Sequence, residues 1–152
     1  MDRTFFITSV TAQRRPLFRS APTANLFLET LLEYRAQGKY LLHESVVMPD
    51  HFHAILTPSE EVSLERAVQL IKGGFSHRLK LGSIWQASFT NHRIRDLEDF
   101  ESHREYVRQN PVRARLAERP GDYPYSSVGW VLDLDPVPQG LKPLIFGTLT
   151  RP

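Results

Sequence analysis

Hydrophobic and polar positions repeat along the chain with two different periods. Short runs rich in β-branched and aromatic residues, bounded by turn-forming residues, are typical of strands. Such runs occupy residues 4–10, 40–48, 51–57 and 84–89, the last extending toward residue 94. Because only Pro49-Asp50 separates the second run from the third, these two runs predict a tight antiparallel hairpin.

Three longer segments instead repeat their apolar residues every three or four positions, which is the period of a helix that buries one face. Each segment follows a residue that can cap a helix N-terminus: Ser20, Ser63 and Asp96. Gly38 is expected to end the first helix, and Gly73-Gly74 to weaken the second toward its end. Pro111 is expected to stop the third helix, because proline removes a backbone donor and crowds the preceding turn.

The order of these elements is strand, helix, strand, strand, helix, strand, helix. This order predicts an α+β fold, a ferredoxin-like sandwich in which helices cover one face of an antiparallel sheet. A length of 152 residues suits one such domain. We assign residues 1–127 to the domain and residues 128–152 to a C-terminal tail of short turns, rich in proline and glycine.

Composition restricts the chemistry that the chain can use. The absence of cysteine excludes disulfides and thiolate metal sites, so a metal ion would need ligands from histidine, carboxylate, amide oxygen or water. The sequence has neither a signal peptide nor a run long enough for a membrane span, which predicts a cytoplasmic protein with no membrane partner. The net charge of +2 comes mainly from arginine, a residue that favours phosphate recognition.

A pair of histidines lies on the predicted third strand. Side chains alternate along a strand, so His51 and His53 point to one face, about 6 to 7 Å apart, while Phe52 points to the other. Two imidazoles in this arrangement can share a metal ion. The spacing alone is equally compatible with two ordinary histidines, and a metal site would need a third ligand from elsewhere in the fold.

The third predicted helix carries a polar stripe beside its apolar one. The stripe has spacings of four, three and four residues and consists of Asp99, His103, Tyr106 and Asn110. Periodicity alone favours ordinary roles for two of these residues. By this interpretation Tyr106 packs its ring at the rim of the core, and Asn110 stands at a helix end before Pro111.

Five segments of the chain resemble, in the same order, those of the single-tyrosine HUH transposases. They are residues 46–56, which contain the histidine pair, 71–73, 84–86 with 91–95, 106–113 and 123–127. The set is most similar to the REP-associated tyrosine transposases, and the similarity extends from about residue 4 to residue 127. The resemblance implies the same ferredoxin-like fold that the element order predicts.

The resemblance also implies a metal-dependent enzyme that nicks and rejoins single-stranded DNA at hairpin repeats. His51 and His53 match the metal ligands of the family, and Asn110 matches the residue that completes the metal site. Tyr106 matches the nucleophile, which forms a 5′-phosphotyrosine intermediate. The implied cofactor is Mg²⁺ or Mn²⁺, the implied state is a monomer or a homodimer, and the expected location is at the nucleoid.

Several basic side chains are candidates for contacts with DNA. They are Lys72, Arg78, Arg93 and Arg95, together with Arg113 near a hairpin stem and His92, which matches a recurrent position of the family. A phenol has a pKa of about 10, so Tyr106 must lose its proton near the metal or to a base. His103, one turn earlier, is a candidate for that base, although its interpretation as a solvated helix residue is favoured.

Two other functions stay open at this point. The chain could be a DNA- or RNA-hairpin-binding module that has lost turnover, or a metal phosphoesterase that forms no covalent intermediate. The presence of His51, His53, Tyr106 and Asn110 together favours the transposase.

Overall fold

A computed structural model of the chain describes residues 3–130 and 133–141. It contains an antiparallel sheet with the strand order β2-β3-β1-β4. The strands are β1 (Phe5–Val10), β2 (Tyr40–Met48), β3 (His51–Pro58) and β4 (Thr90–Arg93). The helices are α1 (Ala21–Ala36), α2 (Leu64–Leu79) and α3 (Leu97–Arg113), accompanied by short 3-10 turns. The predicted α+β class and antiparallel sheet are confirmed.

The helix caps form as the sequence predicts. The Ser63 side chain accepts a hydrogen bond from the Arg66 N–H, and the Asp96 side chain accepts one from the Asp99 N–H. Gly38 has a φ of +79° directly after α1, a conformation that glycine adopts without strain. These local signals therefore set where the three helices begin and where the first one ends.

The helices cover both faces of the sheet, which differs from the expectation of one covered face. One buried cluster joins α1 and α2 to alternate strand residues such as Phe52 and Leu56. A second cluster joins α3 to residues of the opposite face, among them Val46, Met48 and Ile55. Because β2 and β3 carry apolar side chains on both faces, each face needs a cover to remove it from water.

The predicted fourth strand is wrong over residues 84–89, and only its extension toward residue 94 contains a strand. Residues 84–89 form no strand, although Trp85 makes an isolated bridge to Thr11. Ile84 is fully buried, and Trp85 and Phe89 pack against the α1/α2 core. The true strand, β4, is polar and pairs with β1. Apolar residues here fill the core instead of marking a strand, so hydropathy selected the wrong segment.

Pro111 lies inside α3 and does not stop it, contrary to the prediction. The helix continues to Arg113, and its end is closed by a hydrogen bond from the Ala114 N–H to the Asn110 carbonyl. The Leu116 N–H bonds to the Pro111 carbonyl. Because proline stands in the last turn, the helix loses one hydrogen bond and continues for only two residues beyond it.

Part of the predicted tail packs along the edge of β2. The Asp135 N–H donates to the Leu42 carbonyl over 2.9 Å, and the Asp135 carboxylate accepts from the Leu42 N–H over 2.8 Å. Arg35 donates to the same carboxylate over 2.9 Å. Residues 131–132 and 142–152 of the tail lie outside the described residues, and the predicted boundary at residue 127 stays a prediction. No helix in the described part is both long and apolar enough to span a bilayer.

Candidate active site

The two histidines of β3 share the face of the sheet that α3 covers. Strand pairing places His53 opposite Thr8 and His51 opposite Val10. The imidazole centroids lie 4.8 Å apart, with their planes at 76°. Strand alternation therefore brings the two rings together as the sequence predicts.

Both imidazoles have a hydrogen-bond partner at Nδ1. The His51 Nδ1 lies 2.7 Å from Asp50 Oδ1, and since a carboxylate only accepts, Nδ1 carries the proton. The His53 Nδ1 lies 2.7 Å from Thr8 Oγ1. Each ring thus keeps Nε2 for a ligand, the arrangement by which second partners orient metal-binding histidines.

Burial sets the charge state of His53. It lowers the pKa of this imidazole to about 3, and the nearby positive charges of His51 and Arg113 act in the same direction. Neutral imidazole is the form that coordinates a metal ion. His53 is therefore already in its metal-binding form at neutral pH.

The surroundings of Asp50 lower the pKa of its carboxyl. Burial would raise its pKa, but hydrogen bonds and positive charge from His51 and Arg14 outweigh that effect and hold the pKa below its usual value. The carboxylate is therefore charged at neutral pH and accepts the hydrogen bond from the His51 Nδ1–H. Arg14 donates to its second oxygen over 3.2 Å.

Helix α3 adds Tyr106 and Asn110 to the same region. The Tyr106 ring stands edge-on to Phe6 and His53, with centroid distances of 5.9 and 5.5 Å. Its side chain is 44% exposed, whereas Asn110, one turn later, is buried. A cleft of about 540 Å³ brings the set together and is lined by Phe6, Thr8, Val10, Arg14, His51, His53, His103, Tyr106 and Asn110. The histidine pair, the tyrosine and the asparagine thus meet in one cleft.

Arg113 lies beside Tyr106 because α3 continues past Pro111. Its guanidinium carbon is 4.5 Å from the centroid of the Tyr106 ring. It also donates a hydrogen bond of 2.9 Å to the Tyr106 carbonyl. A guanidinium is attracted to the electron-rich face of an aromatic ring, so this contact holds Arg113 beside Tyr106.

Two other predicted DNA contacts, Lys72 and Arg78, belong to α2. They lie away from the cleft, on the face of the sheet that α1 and α2 cover. Lys72 donates to the carbonyls of Gln86 and Ser88, and burial lowers its pKa. Arg78 donates to Thr30 Oγ1 over 3.1 Å and pairs with Glu33. Both cations therefore hold segments of the protein together, and their contact with DNA stays a prediction.

The predicted DNA contacts in and next to β4 do not all lie on the same face of the sheet. His92 pairs in register with Phe6, and Arg93 with Phe5, so their side chains point to opposite faces. The His92 Nε2 lies 2.8 Å from Asp99 Oδ2 on α3. The Arg95 side chain is 78% exposed. His92 therefore adjoins the cleft through α3, whereas Arg93 does not.

Comparison with known proteins identifies the family. The family model described as "Transposase IS200 like" matches residues 4–110. The chain belongs to this family.

Individual relatives agree with the predicted resemblance. The chain is 27% identical over 124 residues to the REP-associated tyrosine transposase of Escherichia coli K12, covering 81% of this chain and 74% of that protein. It is 29% identical over 96 residues to a putative REP-associated tyrosine transposase of Haemophilus influenzae, covering 53% and 54%. The predicted resemblance to the REP-associated tyrosine transposases is confirmed.

Solved structures support the same fold. One, titled as a REP-associated tyrosine transposase bound to a REP hairpin, superposes with a TM-score of 0.75 at 24% identity and covers 94% of this chain and 93% of its own. A putative transposase from Deinococcus radiodurans superposes with a TM-score of 0.54 at 17% identity, covering 70% and 89%. The described architecture is thus that of known transposases.

Three residues of this candidate site are not predicted by the sequence patterns. Asp50 was interpreted only as a turn residue, although a carboxylate beside His51 is a signal that could have been used. Thr8 became a partner of His53 only through the pairing of β1 with β3. Arg14 has a φ of +51° in a 3-10 turn and reaches the cleft by a route that no local pattern encodes.

Proposed function

We propose that this chain nicks and rejoins single-stranded DNA next to hairpin repeats, with Tyr106 as the nucleophile. The observation that carries the proposal is the cleft that joins Tyr106 to His51, His53 and Asn110. Membership in the IS200-like transposase family supports strand cleavage as the reaction. A related protein of known structure is described as bound to a REP hairpin, which supports hairpin DNA as the partner.

The donor set fits a hard divalent cation. The Nε2 atoms of His51 and His53, with the Asn110 carboxamide oxygen, would hold Mg²⁺ or Mn²⁺ and leave positions open to water and phosphate. When bound, this cation neutralises the charge of the scissile phosphodiester and polarises its phosphorus. The Nδ1 contacts of both histidines support this assignment, because they orient the rings before the cation arrives.

The side chains of the chain supply the rest of the reaction. The Tyr106 oxygen attacks phosphorus in line, a bond from that oxygen to phosphorus forms, and the bond from phosphorus to the 3′ oxygen breaks. The DNA 5′ phosphate then stays on Tyr106, and the other strand keeps a 3′ hydroxyl that can attack in reverse. Phe6 and His53 orient the phenol by their edge contacts.

Basic side chains near the cleft would bind the phosphates of the strand. Arg14 lines the cleft, Arg113 packs on the ring of Tyr106, and Arg95 is exposed near the start of α3. These arginines are placed for charge-assisted hydrogen bonds to phosphate. Lys72, Arg78 and Arg93 stay candidate contacts for flanking DNA, and the choice between monomer and homodimer stays a prediction.

The test is the formation of a covalent adduct. Single-stranded oligonucleotides that carry hairpins with varied flanks would be incubated with the protein and Mn²⁺, then separated on a denaturing gel. We expect an adduct with the wild-type chain and with Tyr125→Phe, a matched tyrosine control. We expect none with Tyr106→Phe, which lacks the attacking oxygen, at unchanged hairpin affinity.

The competing functions give different results. Hairpin binding without cleavage in any of the chains would support the binding module. Cleavage that survives Tyr106→Phe would support a phosphoesterase. Either result would overturn the proposed function.

A further inference from the structure

Two histidines share one carboxylate beside the cleft. The His92 Nε2 lies 2.8 Å from Asp99 Oδ2, and the His103 Nδ1 lies 3.1 Å from Asp99 Oδ1. The imidazole rings stack, with centroids 4.5 Å apart and planes at 17°. Strand β4 and helix α3 thus build a His–Asp–His cluster with all three side chains partly buried.

A metal ion does not fit this cluster in its observed geometry. The three ligand atoms lie within 4.8 Å of one another, a spacing that by itself suits a cation. However, a metal ion lies close to the plane of each imidazole that binds it, and two nearly parallel stacked planes do not meet at one point. The two oxygens of a single carboxylate, by contrast, can receive one N–H from each ring.

The hydrogen bonds fix the position of the His103 proton. Its Nδ1 lies 2.9 Å from the Asp99 carbonyl oxygen as well as 3.1 Å from the carboxylate. Both partners accept only, so Nδ1 carries the proton and the neutral ring has its lone pair on Nε2. The arrangement resembles the carboxylate and histidine of hydrolase triads, in which the carboxylate orients the base and stabilises its charged form.

His103 also reaches the site of the proposed reaction. It lines the same cleft as Tyr106 and stands one helical turn before it. Phe6 packs against both rings, with centroid distances of 4.9 Å to His103 and 5.9 Å to Tyr106. Phe6 and the stacked His92 together hold the His103 ring at the wall of the cleft.

We propose that His103 is the base that accepts the phenol proton of Tyr106, and that Asp99 and His92 position it. This inference rests on the proposed function and deepens it by assigning the proton transfer. The proton moves from the Tyr106 oxygen to His103 Nε2 as the bond from that oxygen to phosphorus forms. The 3′ oxygen leaves with the electron pair of the broken bond and takes a proton from water.

The carboxyl beside His103 is ionised. Burial would raise the pKa of the Asp99 carboxyl, but hydrogen bonds from the Arg95 N–H and His92 outweigh that effect and hold the pKa below its usual value. The carboxylate is therefore ionised and faces the imidazolium that forms. The titratable and charged groups around His103 are Asp99, Tyr106, His92 and Arg95, with Arg113 beside Tyr106 on α3. His51, His53 and Arg14 line the same cleft.

The experiment measures single-turnover adduct formation from pH 5 to 9 with a hairpin oligonucleotide and saturating Mn²⁺. We expect His103→Ala to slow the reaction by about 100-fold or more, the usual contribution of a general base. Its rate should lose the acid limb of the wild-type pH profile, and added imidazole should restore part of the rate. His77→Ala, at an exposed position of α2, is the matched control and should keep the wild-type profile.

Asp99→Asn provides a second readout. Without the carboxylate the imidazolium is less stable, so the acid limb should move to lower pH while hairpin affinity is unchanged. A simple loss of folding would instead lower hairpin affinity and thermal stability along with the rate.

The results separate this inference from the proposed function. If the wild-type chain forms no adduct, or Tyr106→Phe still forms one, the proposed function itself fails. If only Tyr106 is required, and His103→Ala keeps the wild-type rate and profile, the assignment of the base is overturned. If His103→Ala reacts slowly but keeps the acid limb of the pH profile and is not accelerated by imidazole, the assignment of the base is also overturned.

Discussion

At the scale of single residues, the site is held by side chains that contact the proposed metal ligands without binding the metal. Asp50 bonds to Nδ1 of His51, and Thr8 bonds to Nδ1 of His53. Such partners fix the orientation of an imidazole and increase its basicity. The chemistry of the pair therefore depends on residues that the HUH spacing alone does not reveal.

Removal of the Asp50 carboxylate should weaken metal binding. We expect Asp50→Asn to reduce affinity for Mn²⁺ by about 10- to 100-fold, because the His51 ring loses its charged acceptor. Titration calorimetry with the purified chain measures this. Asp133→Asn, at an exposed position outside the cleft, is a matched control and should leave the affinity for Mn²⁺ unchanged. Equal affinities in Asp50→Asn and the wild-type chain would contradict the assigned role.

His53 should make the metal-free protein sensitive to acid. Its pKa is about 3 when folded and about 6.5 when unfolded, so the unfolded chain binds the proton first. The contribution of neutral His53 to the free energy of unfolding is fully present above about pH 6.5 and is lost as the pH drops toward 3. Between pH 7 and 5, urea unfolding with chelator present should show the wild-type chain losing about 2 kcal/mol more than His53→Gln. Parallel loss in both chains would contradict the low pKa.

Local patterns grouped four residues of the candidate site in pairs, although only the family resemblance gave these residues their roles. Alternation along a strand placed His51 and His53 on one face, and helical spacing joined Tyr106 to Asn110. Both rules act within one element, so they can be read without tertiary structure. Thr8 enters the site only through the pairing of β1 with β3, and Arg14 reaches it from the 3-10 turn that follows β1. Both contacts join distant segments, and no local pattern specifies them.

At the scale of elements, two predictions are wrong for different physical reasons: the strand at residues 84–89 and the end of α3 at Pro111. Residues 84–89 are apolar because they fill the core beside α1 and α2, and β4 is polar because it pairs at the edge of the sheet. Hydropathy distinguishes buried from exposed segments, and here burial and strand structure do not coincide. In α3, Pro111 stands late enough that the helix absorbs it and carries Arg113 to Tyr106.

The glycine pair of α2 has different effects at its two positions. A Cβ at Gly74 would lie 2.5 Å from the Tyr34 hydroxyl of α1, whereas a Cβ at Gly73 meets nothing within 4 Å. We expect Gly73→Ala to stabilise the fold by about 1 kcal/mol through helix propensity. Gly74→Ala should destabilise it by about 1 kcal/mol, because the Tyr34 ring must move. Urea denaturation measures both, and an equal gain at both positions would contradict the close helix contact.

At the scale of the whole molecule, the two faces of the sheet have different roles. Helices α1 and α2 stabilise one face, where Lys72 and Arg78 bond to protein groups. The other face, covered by α3, carries the histidine pair, the tyrosine and the His–Asp–His cluster. The ferredoxin-like order of elements was predictable because it follows from the sequence of periodicities. The placement of α3 on the opposite face was not, since it depends on which strand residues each helix covers.

The most direct test of the central claim is to identify the residue that carries DNA after the reaction. The trapped adduct would be digested with protease and nuclease, and the nucleotide-bearing peptide sequenced by tandem mass spectrometry. The account predicts a 5′-phosphate nucleotide on the Tyr106 oxygen and on no other tyrosine of the chain. A nucleotide on Tyr123, Tyr125 or any histidine, or cleaved DNA without a modified peptide, would contradict it.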